Sequence, residues 1–336
     1  MRFVSPLLKY VAYPVLQRGG WLSRSLPGGS CAVVNYHGVF PDGYASRDPF
    51  LDGNLVSKET LRKQLQMLKR RYDVISPDEF RKWLNRDVNI PPRAVLITCD
   101  DGLRNTLTDM LPVLESEGVS CLFFVLGACC HDEESGLWYE ELYQLMAGEL
   151  DNAKDAGGLA DFHSRWWQTV RVASRLDLDE RKEWMRNLRS RCGKATDRSA
   201  TRRWCLLNAD QLRQLAAAGM EIGAHTVSHP ILSACGEDLA RREFEDSKRE
   251  LERVLGRPVW AFAYPFGNPG TMGDREVRLA REAGFTCAFV NTGGGVVDRS
   301  QPFALSRTHV TAQMNLAEFE AHVTGLHERL QRAVRA

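Results

Sequence analysis

Residues 94–102 read AVLITCDDG, six strand-forming residues closed by two aspartates and a glycine. A run that is apolar on successive rather than alternate positions is the form of a strand buried on both faces, as in a parallel sheet. Comparable runs recur at 32–36 (AVVNY), 73–75, 119–126 (VSCLFFVL), 220–224 (MEIGA), 259–264 (VWAFAY), 285–290 (FTCAFV) and 304–309 (ALSRTH). Helical signals fill the intervals. Leu61, Leu65 and Leu68 mark one helix face, Ser76-Pro77-Asp78-Glu79 reads as a capping box with proline at the first helical position, and Asn208 with Gln211 offers a second box. Gly118, Gly219, Gly256 and Gly284 each end a helical stretch ahead of a strand, the place of a left-handed C-cap. This alternation predicts an α/β fold, a (β/α) barrel in preference to an open doubly wound sheet.

The 336 residues carry 44 basic and 43 acidic side chains, a formal charge of +1, so no chain-wide field recommends a nucleic-acid partner. With 43% hydrophobic residues the composition is that of a globular protein rather than a disordered one. Nine cysteines, with Cys129 and Cys130 adjacent, fit a reduced protein better than a disulfide-stapled one. Lys9 and Pro14 interrupt the apolar stretch from Phe3 to Leu16, so no secretory signal is read, and no run approaches a membrane span. The expected location is cytoplasmic, or peripheral at the inner membrane.

Residues 1–30 form an arm with Arg2, Lys9, Arg18 and Arg24, no acidic residue, and interleaved Phe3, Leu7, Leu8, Tyr10, Tyr13, Leu16 and Trp21. That mixture suits an anionic membrane surface, and equally an arm packed on the protein body. The barrel is assigned to 31–127 and 206–336. Between them, 128–205 shows no strand but two helical patterns, around Trp138, Tyr139, Leu142, Leu145 and Met146, and around Trp166, Trp167, Val170 and Val172. Residues 131–160 hold one lysine against eight acidic residues, and 161–203 hold twelve basic against six acidic. A helical insertion follows, either a lid over the strand ends or, the reading favoured here, a pair of solvated helices that attract each other.

Three segments carry chemistry, each just beyond a strand, where α/β folds gather catalytic groups. Asp100-Asp101 follows the strand 94–99; two adjacent carboxylates are costly unless a cation or hydrogen bonds separate their roles, though Asp101 could instead cap a helix beginning near Leu103. His225-Thr226-Val227-Ser228-His229-Pro230 places two imidazoles on one turn, and with a carboxylate they make a three-ligand metal site. Phe262-Ala263-Tyr264-Pro265-Phe266-Gly267-Asn268-Pro269 fixes a rigid turn able to aim a peptide N–H at a developing oxyanion.

These segments resemble the motifs of the polysaccharide deacetylase family, carbohydrate esterases with a NodB homology domain. Thr98-Cys99-Asp100-Asp101-Gly102 is similar to its Thr-Phe-Asp-Asp-Gly, and His225 to His229 to its His-Ser/Thr-x-x-His. Tyr264-Pro265-Phe266 is similar to its Arg-x-Pro-Tyr/Phe, with Ala263 where the arginine would stand. Tyr36-His37 and Leu305-Ser306-Arg307 resemble the branch acting in bacterial surface-polysaccharide assembly.

The resemblance implies a distorted (β/α) barrel and hydrolysis of an N-acetyl amide, on an N-acetylated glycan or a lipid-linked sugar. Asp101, His225 and His229 would hold a divalent ion, zinc foremost, with Co, Ni or Mn suited to the same donors. Asp100 would be the general base, and the turn Tyr264, Pro265 and Phe266 would meet the substrate and its oxyanion. The family's general acid is a late histidine; His309 is favoured and His37 competes. Arg307 could replace the missing arginine as partner of Asp100. His131, His163, His322 and His327 read as surface or packing residues. Two other functions stand beside this one: an inactive glycan-binding relative, and a deformylase or amidase acting on a lipid-linked aminosugar.

Overall fold

The computed structural model describes residues 5–23, 26–40, 44, 49–130, 136–150, 158–192 and 205–335. Its strands are β1 (Cys31–Tyr36), β2 (Asp73–Ile75), β3 (Ala94–Cys99), β4 (Leu122–Val125), β5 (Glu221–Ala224), β6 (Ala261–Ala263), β7 (Cys287–Val290), β8 (Val296–Val297), β9 (Leu305–Ser306) and β10 (Thr308–His309). Parallel pairing runs β10-β1-β3-β4-β5-β6-β7-β9, with β2 added to β3 and β8 antiparallel to β1. Because β9 and β10 are separated only by Arg307, one short segment pairs with both ends of the path and brings the sheet close to a closed barrel. The (β/α) barrel expected from the alternation is the observed fold.

Two details depart from the sequence reading. The single strand expected at 304–309 is two two-residue pieces. Leu305 and Ser306 register with Phe289 and Val290, then Thr308 and His309 register with Val34 and Asn35, so the backbone changes partner at Arg307. The strand β8 was not anticipated, since two residues carry no readable period.

Side-chain alternation sorts the strands into two layers. Ala32, Val34, Val95, Ile97, Phe123, Val125 and Phe262 face the surrounding helices in the larger core. Cys31, Val33, Ala94, Leu96, Leu122, Phe124, Ala263, Cys287 and Phe289 form a second, interior core, plugged by Phe80 and Trp83. Continuing the same alternation upward puts Asn35, Thr98, Asp100, His225 and Arg307 above that apolar floor. The Arg307 guanidinium lies 5.4 Å from the Phe124 ring and 5.8 Å from Phe289. Gly223 is required in this layer: a Cβ there would stand 2.6 Å from the Phe124 ring.

Among the described residues the helices of six residues or more are α1 (Tyr13–Arg18), α2 (Lys58–Arg71), α3 (Pro77–Leu84), α4 (Leu111–Glu117), α5 (Trp138–Leu150), α6 (Gly158–Ala173), α7 (Leu178–Cys192), α8 (Ala209–Ala217), α9 (Glu237–Leu255), α10 (Asp274–Glu282), α11 (Leu316–Val323) and α12 (Leu326–Arg335). Both expected capping boxes form, Ser76 with Glu79 and Asn208 with Gln211. The four junction glycines all have positive φ, between 63° and 82°.

Helices α5 to α7 occupy the interval between β4 and β5. The attraction between their charged halves is present, Arg189 pairing with Glu141. They are nonetheless not a merely solvated pair: Arg181 and Trp166 are buried, and Trp138 donates to the Ser228 carbonyl at 3.0 Å. Desolvated aromatic and guanidinium groups dock the insertion on the strand ends, which charge counting does not register.

The N-terminal segment packs on α11 and α12 through buried Tyr13, whose hydroxyl meets His327 Nδ1 at 2.6 Å, and through Lys9, paired with Glu318 at 2.9 Å. His322 and His327 are buried packing residues and His163 stacks on Phe50, whereas His131, Arg2 and Arg24 lie outside the described residues. Among the described residues no helix is long and apolar enough to cross a membrane.

Candidate active site

Strand β3 is followed by Asp100, whose peptide N–H donates to the Tyr36 carbonyl at 2.9 Å and so continues the β1 ladder. The chain then turns through Asp101 and Gly102, with φ of 74° and 69°. Asp101 is therefore not the cap of a following helix; its left-handed backbone turns its carboxylate toward the next strands instead. There Asp101 Oδ1 lies 3.5 Å from His225 Nε2 and 3.3 Å from His229 Nε2, and one ligand atom from each of the three residues falls within 4.8 Å of the others. All three are buried.

His225 Nδ1 is 2.7 Å from the Ala263 carbonyl. A carbonyl only accepts, so this bond places the proton on Nδ1 and leaves the Nε2 lone pair facing Asp101, the usual support for a ligating histidine. Burial disfavours the charged form of Asp101, but the histidines around it more than offset this and hold the carboxyl well below its ordinary range. Two neutral imidazoles and a carboxylate, oriented and dry, fit a divalent cation such as zinc.

Asp100 is kept apart from this group by different partners. Arg307 grips it bidentately, Nη1 to Oδ1 at 2.6 Å and Nη2 to Oδ2 at 2.7 Å, and is itself fully buried. Asn35 Nδ2 donates to Oδ2 at 2.9 Å, while the Asn35 amide oxygen accepts from Arg307 at 2.9 Å and from Thr98 at 2.9 Å. Burial raises the Asp100 pKa and Arg307 more than reverses this, so the carboxylate stays ionised. Arg307 is thus a buried partner of Asp100 and not a surface ion pair.

The two candidate acids stand together. The His37 and His309 rings meet edge to face at 4.7 Å, His37 Nε2 is 3.9 Å from Asp100 Oδ2, and His309 Nε2 is 3.1 Å from Asn54 Oδ1. Burial pushes His309 down to about 3 and lowers His37 as well, so both rest neutral at ordinary pH.

The third segment is placed differently from its sequence reading in one respect. The Tyr264 side chain is fully buried, its hydroxyl donating to the Phe303 carbonyl at 3.1 Å, so it anchors the turn and does not reach substrate. Pro265 is buried, and Phe266 adopts φ 60° beside His229, ring to ring at 4.8 Å. Gly267 closes the turn: its N–H donates to Pro265 at 2.6 Å, its carbonyl accepts from Asn291 at 2.7 Å, and a Cβ would stand 2.7 Å from Asn291 N.

Sequence reasoning missed the insertion's contribution. Tyr139 stacks on His229 at 4.8 Å and Trp167 meets Phe266 edge-on at 5.0 Å. It also missed Asn35 and Glu243; the latter's Oε2 accepts the N–H groups of Val227 and Ser228 at 2.7 and 2.9 Å. Asn35 was legible as the one polar residue in an interior strand, whereas Glu243 is one acid among many on a helix.

The family model for polysaccharide deacetylases matches residues 87–288, more than half of the chain, and takes in Asp100, Asp101, His225, His229 and the turn Tyr264–Phe266 but not Asn35, His37, Arg307 or His309. The chain belongs to the polysaccharide deacetylase family. It is a hydrolase of N-acetyl amide bonds, in keeping with that family's chemistry. The deacetylase is 20% identical over 307 residues to the provisionally named polysaccharide deacetylase YxkH of Bacillus subtilis, across 91% of this chain and 80% of that one. Its fold is similar to the Streptococcus pyogenes deacetylase PplD, solved with acetate, at TM-score 0.58 and 17% identity over 88% of this chain and 99% of that one. IcaB from Ammonifex degensii is comparably similar, at TM-score 0.58 and 18% identity over 89% and 99%.

Proposed function

We propose that this deacetylase is metal-dependent and removes the acetyl group from an N-acetylated aminosugar of a bacterial surface polysaccharide or of its lipid-linked precursor. The observation that carries the reading is the division of two adjacent buried carboxylates, Asp101 toward two histidines and Asp100 toward Arg307. Asp101, His225 and His229 hold the cation in this reading, and zinc, cobalt, nickel or manganese all suit such a donor set. The cation supplies Lewis acidity, acidifying water from a pKa of about 15.7 toward about 7 and polarising the acetamide carbonyl.

Asp100 takes the proton of the attacking water, its orientation fixed by Arg307 and Asn35. The peptide N–H of Phe266 donates to the oxyanion, on a turn that Gly267 and Tyr264 make rigid. An amine leaves poorly unless protonated. His309, neutral at rest, delivers that proton after receiving the one Asp100 takes from the water, and His37, its Nε2 3.9 Å from Asp100 Oδ2 and its ring edge to face with His309, lies between them. The products are acetate and the free amine. Ala263 in the arginine position is the argument for an inactive glycan binder; Arg307 supplies from a later strand the tether that this alanine lacks.

The outer side of the N-terminal segment supports contact with a membrane surface, and with it a lipid-linked substrate. Leu7 (67%), Tyr10 (67%), Val11 (53%), Val15 (63%) and Trp21 (68%) are all exposed, in a segment whose charges are all basic.

The decisive experiment measures acetate release from N-acetylhexosamine oligomers and from lipid-linked N-acetylaminosugars, with and without chelator. Chelator-sensitive release by the wild type is expected. Binding without release on every substrate would show an inactive glycan binder, and release of formate from an N-formyl sugar in place of acetate would show a deformylase.

A further inference from the structure

His229 is held in an unusual backbone state. Its φ of 55° lies in the left-handed region, which is strained for a non-glycine residue and persists only where the surroundings enforce it. The peptide plane that sets this angle joins Ser228 to His229, and both of its polar edges are pinned. On one side the His229 N–H donates to Thr226 Oγ1 at 3.0 Å. On the other the Ser228 carbonyl accepts two bonds from the insertion, Arg181 Nη1 at 3.0 Å and Trp138 Nε1 at 3.0 Å.

Arg181 does more than touch this carbonyl. It is 2% exposed, and the same Nη1 donates to Ser228 Oγ at 2.8 Å. Its other donors are consumed by the α6–α7 corner, Nε to the Ala173 carbonyl at 3.0 Å and Nη2 to Leu176 at 2.6 Å, and its guanidinium lies 4.8 Å from the Trp138 ring centroid. Next along the chain, the Ile231 N–H donates to Ser174 Oγ at 2.9 Å. A guanidinium is suited to this place because its planar fork serves several acceptors in fixed directions, which an ammonium cannot reproduce.

We propose that Arg181 is a positioning residue of the metal site, which fixes the Ser228–His229 peptide and thereby makes metal affinity depend on the docked insertion. The inference rests on the reading of Asp101, His225 and His229 as the metal ligands. Without Arg181, the Ser228 carbonyl keeps one donor instead of two and the peptide can rotate, so His229 spends part of its time away from Asp101. Metal-free protein then binds the ion less tightly, independently of any substrate.

Full-length protein stripped with chelator is titrated with zinc chloride by calorimetry, and its cobalt(II) visible spectrum is recorded. One zinc per chain is expected for the wild type and none for His229→Ala; a wild type that takes up no zinc overturns the metal reading, and this inference with it. Arg181→Met is expected to raise the dissociation constant 10- to 100-fold, as losses behind a ligand typically do. Arg181→Lys should recover part of that, and Trp138→Phe, which removes only the indole N–H, should raise it less and alter the cobalt bands. If Arg181→Met does not fold by circular dichroism, Trp138→Phe decides. Wild-type zinc affinity and cobalt bands in the folded variants would overturn the inference and leave the metal reading standing.

Discussion

At position 263, the last residue of β6, the side chain stops at a methyl group. The family pattern has arginine there and this chain has alanine, yet the carboxylate that arginine would tether is held all the same, by Arg307 at 2.6 and 2.7 Å. Breaking a buried pair leaves an uncompensated charge, so Arg307→Met should cost about 3–5 kcal/mol of stability in urea denaturation. The double variant Arg307→Met/Asp100→Asn should recover much of that, because it removes the stranded charge as well; equal losses in single and double variants would refute the account. Asp100→Asn alone should keep zinc binding while lowering the rate of acetate release about 10²- to 10⁴-fold, the usual contribution of a general base. A variant that loses metal and activity together would instead make Asp100 a ligand.

At the scale of elements, the site is built by strand ends and the irregular turns after them. Asp101, Thr226, His229 and Phe266 all have left-handed backbones although none is glycine, and they follow β3, β5 and β6. Strain of this kind gathers where a structure must aim side chains. Gly267→Ala would combine a φ of 57° with a Cβ 2.7 Å from Asn291 N, so it should lower activity well before it unfolds the chain, checked by kinetics against melting temperature. The α11–α12 corner offers a test with pH. Burial opposes ionisation of Glu328, but the hydrogen bond from His322 at 2.8 Å more than compensates and depresses its pKa below the ordinary 4.5. A depressed carboxylate contributes stability that is complete above about pH 4.5 and is lost as pH falls through the lower folded-state value. The melting temperature of the wild type should therefore fall more steeply in acid than that of Glu328→Gln; parallel curves would show that this pair contributes nothing.

For the molecule as a whole, the N-terminal segment is anchored on one side and exposed on the other. Tyr13 and Lys9 fasten it to α11 and α12, while Leu7, Tyr10, Val11 and Val15 stay exposed. Replacing Leu7, Val11 and Val15 with serine should leave the melting temperature nearly unchanged and reduce co-sedimentation with phosphatidylglycerol vesicles. Undiminished sedimentation would remove the membrane reading.

The sequence by itself determined the βα alternation, the capping boxes and glycine C-caps, and the segments that end in Asp100-Asp101, His225–His229 and Tyr264–Phe266. It could do so because strand burial, helix caps and metal-donor spacing are local: each is settled by residues within a few positions of one another. Tertiary structure alone decided that residues 305–309 change partner at Arg307, that Tyr264 turns inward, and that Arg181 and Trp138 reach the His229 turn. Those contacts join residues 39, 47 and 90 positions apart, and for Arg307 and Asp100 207. No period or spacing in the chain encodes such pairs, because their partners are chosen by which strands close the barrel and by the desolvation cost of leaving a buried charge or carbonyl unmatched.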